Sequence, residues 1–397
     1  MRVLKRALKD QKGASMIMVA IAIVVIFAFA VLAIDLSLIQ LAKCQLQNAA
    51  DAAALAGAMA LAASGGNQGV ATAEAITLAG LNLAVQDIQR SVVIDAGDVT
   101  FPEPGKVTVT THRTSATNDP VTLFFLKVID PLLQNKGEVA ARATAQISFV
   151  CGTDCLRPFC PPDRWEDADN DSIWDPADEY TDLNTNGVWD VGEPLTEDHN
   201  GNGVWDPAEF YDPEITGYKA PDDIGVVVTL KLRNSNFEFR AGWYYAVRFG
   251  PINTGGPIES GADPYREWIL GCAPYTVEIG DLLELENGVM QGPTIQGLQD
   301  LIDSDPTAEW DPVTGTVINS IYPTSPRVIK VAAFDPTLGV RKDIPGPGYV
   351  TVSKIIAFFI EGHDGSDVVG RFMKTVTEGE PGTGCAGGFL FTVSLVE

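Results

Sequence analysis

The sequence predicts an α+β chain: a transmembrane helix extended by a long Ala-rich helix, then a small α+β domain, then a β-rich, sandwich-like region carrying an irregular loop segment. Three observations carry that reading. Residues 14–34 are uncharged and rich in Val, Ile, Ala and Phe, and residues 36–64 continue without a Pro. From residue 224 onward, short alternating runs are separated by Gly and Pro turns. Between these parts lies an acidic segment of residues 163–214 with 17 acids and one base, Arg164. It holds most of a net charge of −25. That balance excludes nucleic-acid binding, which needs a basic footprint.

The N-terminal elements come first. Residues 1–13 carry Arg2, Lys5, Arg6, Lys9 and Lys12 against Asp10. The apolar run of 21 residues that follows matches a hydrocarbon core of about 30 Å at about 1.5 Å per residue. Basic residues before it predict a cytoplasmic tail and an exported remainder. A cleaved signal peptide has an apolar stretch of only about 7–15 residues, so an uncleaved anchor over 14–34 is the expectation. Residues 35–65 read as one extended amphipathic helix, with Leu38, Leu41, Leu46, Ala49, Ala53 and Ala56 on one face. That face packs either on the chain's own domain or on a partner helix. Ser64-Gly65-Gly66-Asn67 ends it.

Gly13 before the apolar run, Asp35 at its end, and the stretch LQNAADAAALAGA at 46–58 resemble the N-terminal region of TadG-like and TadE-like Flp pilus-assembly proteins. VTLFFLKVID at 121–130 and EVAARATAQISF at 138–149 are similar to the same family, where an FF-containing helix leads into an alternating strand. The resemblance covers about residues 10–150. It implies a bacterial inner-membrane protein with a single pass, a cytoplasmic N-terminus and a periplasmic or surface-exposed C-terminal region. It also implies pilus-assembly or envelope partners reached through the N-terminal helix. Type IV-like prepilins carry Glu five residues after the cleavage Gly; counted from Gly13, Met18 stands there. That favours a permanently anchored accessory protein over a polymerising pilin.

Residues 66–150 form the small α+β domain: a helix at 71–85, strands at 91–95 and 106–113 around a turn at 102–105, a second helix at 123–133 and a strand at 140–149. His112 is a structural strand residue. Beyond it, residues 151–397 make the β-rich region, with strands at 224–232, 243–249, 327–334, 349–360, 368–376 and 389–396 and one helix at 294–302.

The acidic segment contains three aligned twelve-residue stretches: DADNDSIWDPAD from Asp167, DLNTNGVWDVGE from Asp182 and DHNGNGVWDPAE from Asp198. In the calcium loop D-x-[DN]-x-[DN]-G-x₅-E, positions 1, 3 and 5 offer side-chain oxygens. Position 6 is a turn Gly, position 7 gives a carbonyl, position 9 acts often through water, and position 12 is a bidentate carboxylate. The second loop supplies Asp182, Asn184, Asn186, Val188, Asp190 and Glu193; the third supplies Asp198, Asn200, Asn202, Val204, Asp206 and Glu209. The first supplies Asp167, Asp169, Asp171, Ile173, Asp175 and Asp178, with Ser172 in place of Gly and a short acid at position 12. Hard oxygen donors select Ca²⁺, two to three ions in all. The linkers of three and four residues leave no room for flanking helices. The loops therefore resemble those of dockerins and thrombospondin type 3 repeats, not sensor EF-hands. Trp174, Trp189 and Trp205 each stand at position 8 and are expected to pack against neighbouring loops.

Cys151, Cys155 and Cys160 precede the loops, and Cys272 and Cys385 follow them. In an oxidising compartment these are disulfide candidates, bridging the cluster at 151–160 to Cys272 or Cys385 with the connectivity open. A zinc site is disfavoured because no His is near. No small-molecule substrate and no catalytic motif are read: no G-x-S-x-G, H-E-x-x-H or P-loop occurs, and His363-Asp364 is read as a strand-end turn. The expected function is a non-enzymatic, membrane-anchored accessory protein of a Tad/Flp-type or related surface system, its head rigidified by calcium. The alternative is a calcium-dependent adhesin on the same anchor.

Overall fold

The computed structural model describes residues 11–84, 90–123, 136–199, 201–220, 222–233, 239–250, 259–288, 290–377, 379–382, 385 and 388–396. The chain divides into two units, Met1–Ile147 with Val393–Glu397, and Ser148–Thr392.

In the first unit, helix α1 (Gln11–Ala63) runs unbroken for 53 residues, roughly 80 Å. It is long and apolar enough to cross a membrane, which is compatible with a single-pass anchor. Met16, Ile26, Phe27 and Phe29 are exposed, and a buried face begins at Asp35 and continues through Ala42, Leu46, Ala49, Ala53 and Ala58. The Ala-rich face is thus occupied by the chain's own domain. Leu41, expected on that face, is 45% exposed, and Ala42 takes its place. Each buried Ala methyl contributes only about 0.8 kcal/mol, so the contact depends on number and close approach. Gly57 allows that approach: a Cβ there would meet Val107 Cγ1 at 3.1 Å and Ala75 Cβ at 3.2 Å.

The helix stops where Gly65 and Gly66 take positive φ, with the Gly66 N–H donating to the Leu61 carbonyl at 2.8 Å. Asn67 then caps helix α2 (Gln68–Leu81), its side chain accepting from Gly69 and Val70. Ala71, Ala75 and Ala79 form the buried stripe of α2. Strand Lys106–Arg113 pairs antiparallel with Val139–Thr153, from Lys106↔Gln146 to Arg113↔Val139. The turn at 102–105 joins it to Val99–Thr100, whereas the strand expected at 91–95 is reduced to Arg90–Ser91. Thr111 Oγ1 donates to the Leu46 carbonyl at 2.9 Å, tying sheet to helix. The helix expected at 123–133 lies, beyond Leu123, outside the described residues.

In the second unit, where a sandwich-like packing was expected, the β-rich region is built on one sheet closed on itself. Val227–Leu232 pairs with Asp367–Phe372, which pairs with Tyr349–Asp364, which pairs with Leu282–Leu285. That strand pairs with Trp243–Arg248, which returns in parallel to Val227–Leu232 through Lys231↔Trp243. Val328–Phe334 and Phe159–Cys160 extend the sheet. Closure removes exposed edges, and the core is dense with aromatics, including Phe159, Tyr244, Phe334, Phe358 and Phe372.

Among the described residues two helices pack here where one was expected: α3 (Ala262–Gly271) and α4 (Gln291–Ser304). Tyr265, Trp268 and Ile269 give α3 a buried stripe at helical spacing. At Gly297 a Cβ would come within 2.9 Å of Ile269 Cβ, so only Gly lets the helices close. Two disulfides, Cys151–Cys385 and Cys155–Cys272, join distant parts of this unit. Cys160, also a candidate, is instead a free thiol buried in the core, and Cys44 is free and exposed.

Candidate metal centre

The acidic segment leaves and rejoins the β-rich unit through a buried neck. Asp163 is fully buried, and its Oδ2 lies 3.5 Å from Lys354 Nζ on the long strand. Asp163 accepts the Tyr218 N–H at 2.7 Å and the Tyr211 hydroxyl at 3.0 Å. Lys354 Nζ also donates to the Pro213 and Tyr218 carbonyls at 2.6 and 2.5 Å. Burial pushes the Asp163 carboxyl up and the Lys354 ammonium down from their ordinary values, and each partner's charge opposes that shift. One ion pair therefore clamps both ends of the segment to one strand.

From this neck the segment runs as a nested hairpin. Glu166 bridges Phe210, and further out Glu179–Tyr180 pairs antiparallel with Leu195–Glu197. The first loop lies on the outgoing arm, the third on the returning arm, and the second forms the tip.

All three loops close in the same way at their first acid. Asp167 Oδ2 accepts the Ser172 N–H at 3.0 Å, Asp182 Oδ2 accepts Gly187 at 2.7 Å, and Asp198 Oδ2 accepts Gly203 at 2.8 Å. Position 6 has positive φ in each: 68° at Ser172, 80° at Gly187 and 76° at Gly203. Position 4 does too, at Asn170, Thr185 and Gly201. The position-5 oxygens accept from position 7: Asp171 from Ile173, Asn186 from Val188 and Asn202 from Val204. In the first loop these turns leave Asp169 with an oxygen within 4.8 Å of one on Asp167 and of one on Asp171. In the second loop Asn184 and Asn186 both donate to Asp190 Oδ2. Asn200 lies outside the described residues.

The twelfth position departs from the simple alignment. In the second loop Glu193 accepts from its own Leu183 and Asp190 backbone N–H groups, at 2.8 and 3.0 Å. In the first loop the equivalent N–H groups, of Ala168 and Asp175, donate instead to Glu209, at 3.0 and 3.1 Å. In the third, those of His199 and Asp206 donate to Asp178, at 2.8 and 2.9 Å. The backbones match this: Asp178 N–H donates to Asp206 O and Glu209 N–H to Asp175 O, both at 3.0 Å. A cleft of about 300 Å³ lies between the arms, bordered by Asp169, Asp175, Asp178, Asp206 and Glu209.

The carboxylates of the first loop suit a hard cation. Asp167, Asp169 and Glu209 bring oxygens within 4.8 Å of one another, as do Asp169, Asp171 and Asp175. Asp167 Oδ1 is buried without a hydrogen-bond partner. Burial, then repulsion from Asp171 and Asp169, raises the Asp175 carboxyl; burial leads at Glu209, with Asp167 and Asp175 adding repulsion. A bound cation would relieve both strains. At Asp182 the opposite holds: the Gly187 N–H and neighbouring amides lower its value.

The tryptophans supply what small core the segment has. Trp189 and Trp205 stack with centroids 6.5 Å apart and planes 17° from parallel, and Trp205 meets Tyr180 edge-on at 6.1 Å. Trp174 turns inward, edge-on to Trp165 at 6.0 Å. The histidines do not converge: His112 Nδ1 lies 3.4 Å from Asp98, and His363 Nδ1 bonds the Gly365 carbonyl at its hairpin end.

No curated protein and no solved structure matches the chain. The N-terminal region, residues 13–60, matches the family described as Putative Flp pilus-assembly TadE/G-like, the segment in which α1 carries its exposed apolar run and its buried Ala face.

Proposed function

We propose that the protein is a membrane-anchored, non-enzymatic accessory component of Tad/Flp-type pilus assembly or a related bacterial surface system, with an exported head rigidified by calcium. The observation that carries this reading is the joining, in one chain, of a TadE/G-like membrane helix to three repeated oxygen-ligand sets. Residues 14–34 hold the chain in the inner membrane with the basic tail in the cytoplasm. The Ala-rich face of α1 is filled by its own domain, so the apolar residues up to Ile34 are the surface left for partner helices. Ca²⁺ is held by the three loops. Three divalent ions would offset about six of the acidic segment's negative charges. Affinities of about 10⁻⁴–10⁻³ M, usual for extracellular modules, suit a structural ion.

Deleting the gene in its host and viewing cells by electron microscopy tests this reading. Loss of Tad-type pili is the expected result; normal pili would overturn the assembly role. The exposed Leu183, Val188, Val191 and Val204 on the loops favour a second reading, a calcium-dependent adhesin. There, pili persist and calcium-dependent attachment is lost.

A further inference from the structure

We infer that the first and third loops exchange their twelfth-position carboxylates: Glu209 completes the cation site of the first loop and Asp178 completes that of the third. The second loop is self-contained. This rests on the calcium reading of the loops and adds which residue closes which site.

Four observations converge on it. Asp167 Oδ1 is a buried oxygen without a hydrogen-bond partner, and Asp167 brings an oxygen within 4.8 Å of one on Glu209, a residue of the third loop. Glu209 and Asp178 are 9% and 5% exposed, so both carboxylates are committed to the space between the arms. Each is oriented by the position-2 and position-9 N–H groups of the opposite loop, as Glu193 is by those of its own. The reason is topological. Loops on opposite arms of a hairpin face one another, whereas the tip loop folds back on itself.

Two consequences follow. The long Glu209 side chain serves the first loop, so the short Asp178 is not a defect of that site. Each ion orders a ligand of the other loop's polypeptide, so the two sites bind as a linked pair while the second loop binds independently. Ordering by one ion lowers the entropy cost of the next.

The test is calcium titration by calorimetry on the full chain in detergent micelles, stripped with EGTA. It compares wild type with Asp167→Asn, Asp167→Asn/Glu209→Gln and Asp167→Asn/Asp178→Asn. Under exchange, Asp167→Asn abolishes the first-loop site, and Glu209→Gln then adds less than about a twofold change at the remaining sites, because Glu209 serves the site already lost. Asp178→Asn adds at least about a tenfold weakening at the third loop, equal to about 1.4 kcal/mol. The opposite pattern, with Glu209→Gln additive and Asp178→Asn silent, overturns the exchange and leaves the calcium reading intact. Absence of binding in wild type overturns both. The second-loop ion, present in every variant, reports that each has folded.

Discussion

Replacing Lys354 by Met is expected to loosen the acidic segment at its root. The substitution keeps the stem's volume and removes the ammonium, whose side chain is 8% exposed and sits 3.5 Å from a carboxylate with no exposure at all. Asp163 is then left charged and buried without its counter-ion. Breaking a buried pair from one side costs about 3–5 kcal/mol. The Pro213 and Tyr218 carbonyls also lose their charged donor, a loss contained within the same figure. Adding Asp163→Asn removes the orphaned charge and returns about 2 kcal/mol or more, because Asn still accepts the Tyr218 N–H. Urea unfolding of the full chain in micelles, followed by tryptophan emission, measures all four corners of the cycle. A loss below about 1 kcal/mol for Lys354→Met, or a double variant as unstable as the sum of the singles, would refute the clamp.

Other expectations follow from individual residues. Ser172 holds φ at 68°, so Ser172→Gly removes about 1 kcal/mol of left-handed strain and tightens calcium at the first loop about fivefold, read by calorimetry. Mutating both Cys155 and Cys272 to Ala opens a closure of 117 residues and lowers stability by about 2–5 kcal/mol, seen as a drop in Tm. Native protein treated with a maleimide is modified at the exposed Cys44 and not at the buried Cys160, whose thiol burial pushes up; mass spectrometry reads the site. Asp163 has a folded value raised above its unfolded value of about 3.9, so the folded state binds the extra proton within that window. The wild type therefore gains stability relative to Asp163→Asn as pH falls from about 7 through the carboxylate range, measured by urea unfolding at several pH values.

The repeat of the three loops was legible because the same residue types recur at a fixed twelve-residue spacing, and the structure gives all three the same closure at the first acid. Their turn at position 6 was visible as Gly187 and Gly203, and the structure adds that Ser172 adopts the same φ without being Gly. What could not be read was the partner of the twelfth carboxylate. Asp178 and Glu209 are 31 residues apart, and their crossing depends on how the hairpin nests. The one hint was the near-equal linkers, which place Tyr180 opposite Leu195. The long helix was legible from composition, yet its buried face was misplaced at Leu41 because Ala42 is small enough to meet the sheet while Leu41 turns to solvent. Helix α3 was missed behind Gly261, which offers no side-chain cap, although Tyr265, Trp268 and Ile269 carried its period. The cysteine cluster pointed to Cys272 and Cys385, but only the closed sheet decides that Cys160 stays reduced in the core.

The central claim is that calcium orders the acidic segment, and Trp189 and Trp205 report on it directly from position 8 of two loops. Calcium added to EGTA-stripped full-length protein is predicted to bind with two to three ions per chain and to change tryptophan emission in step with the heat. No heat and an unchanged spectrum up to about 10 mM, an order of magnitude above the usual range for such modules, would contradict it.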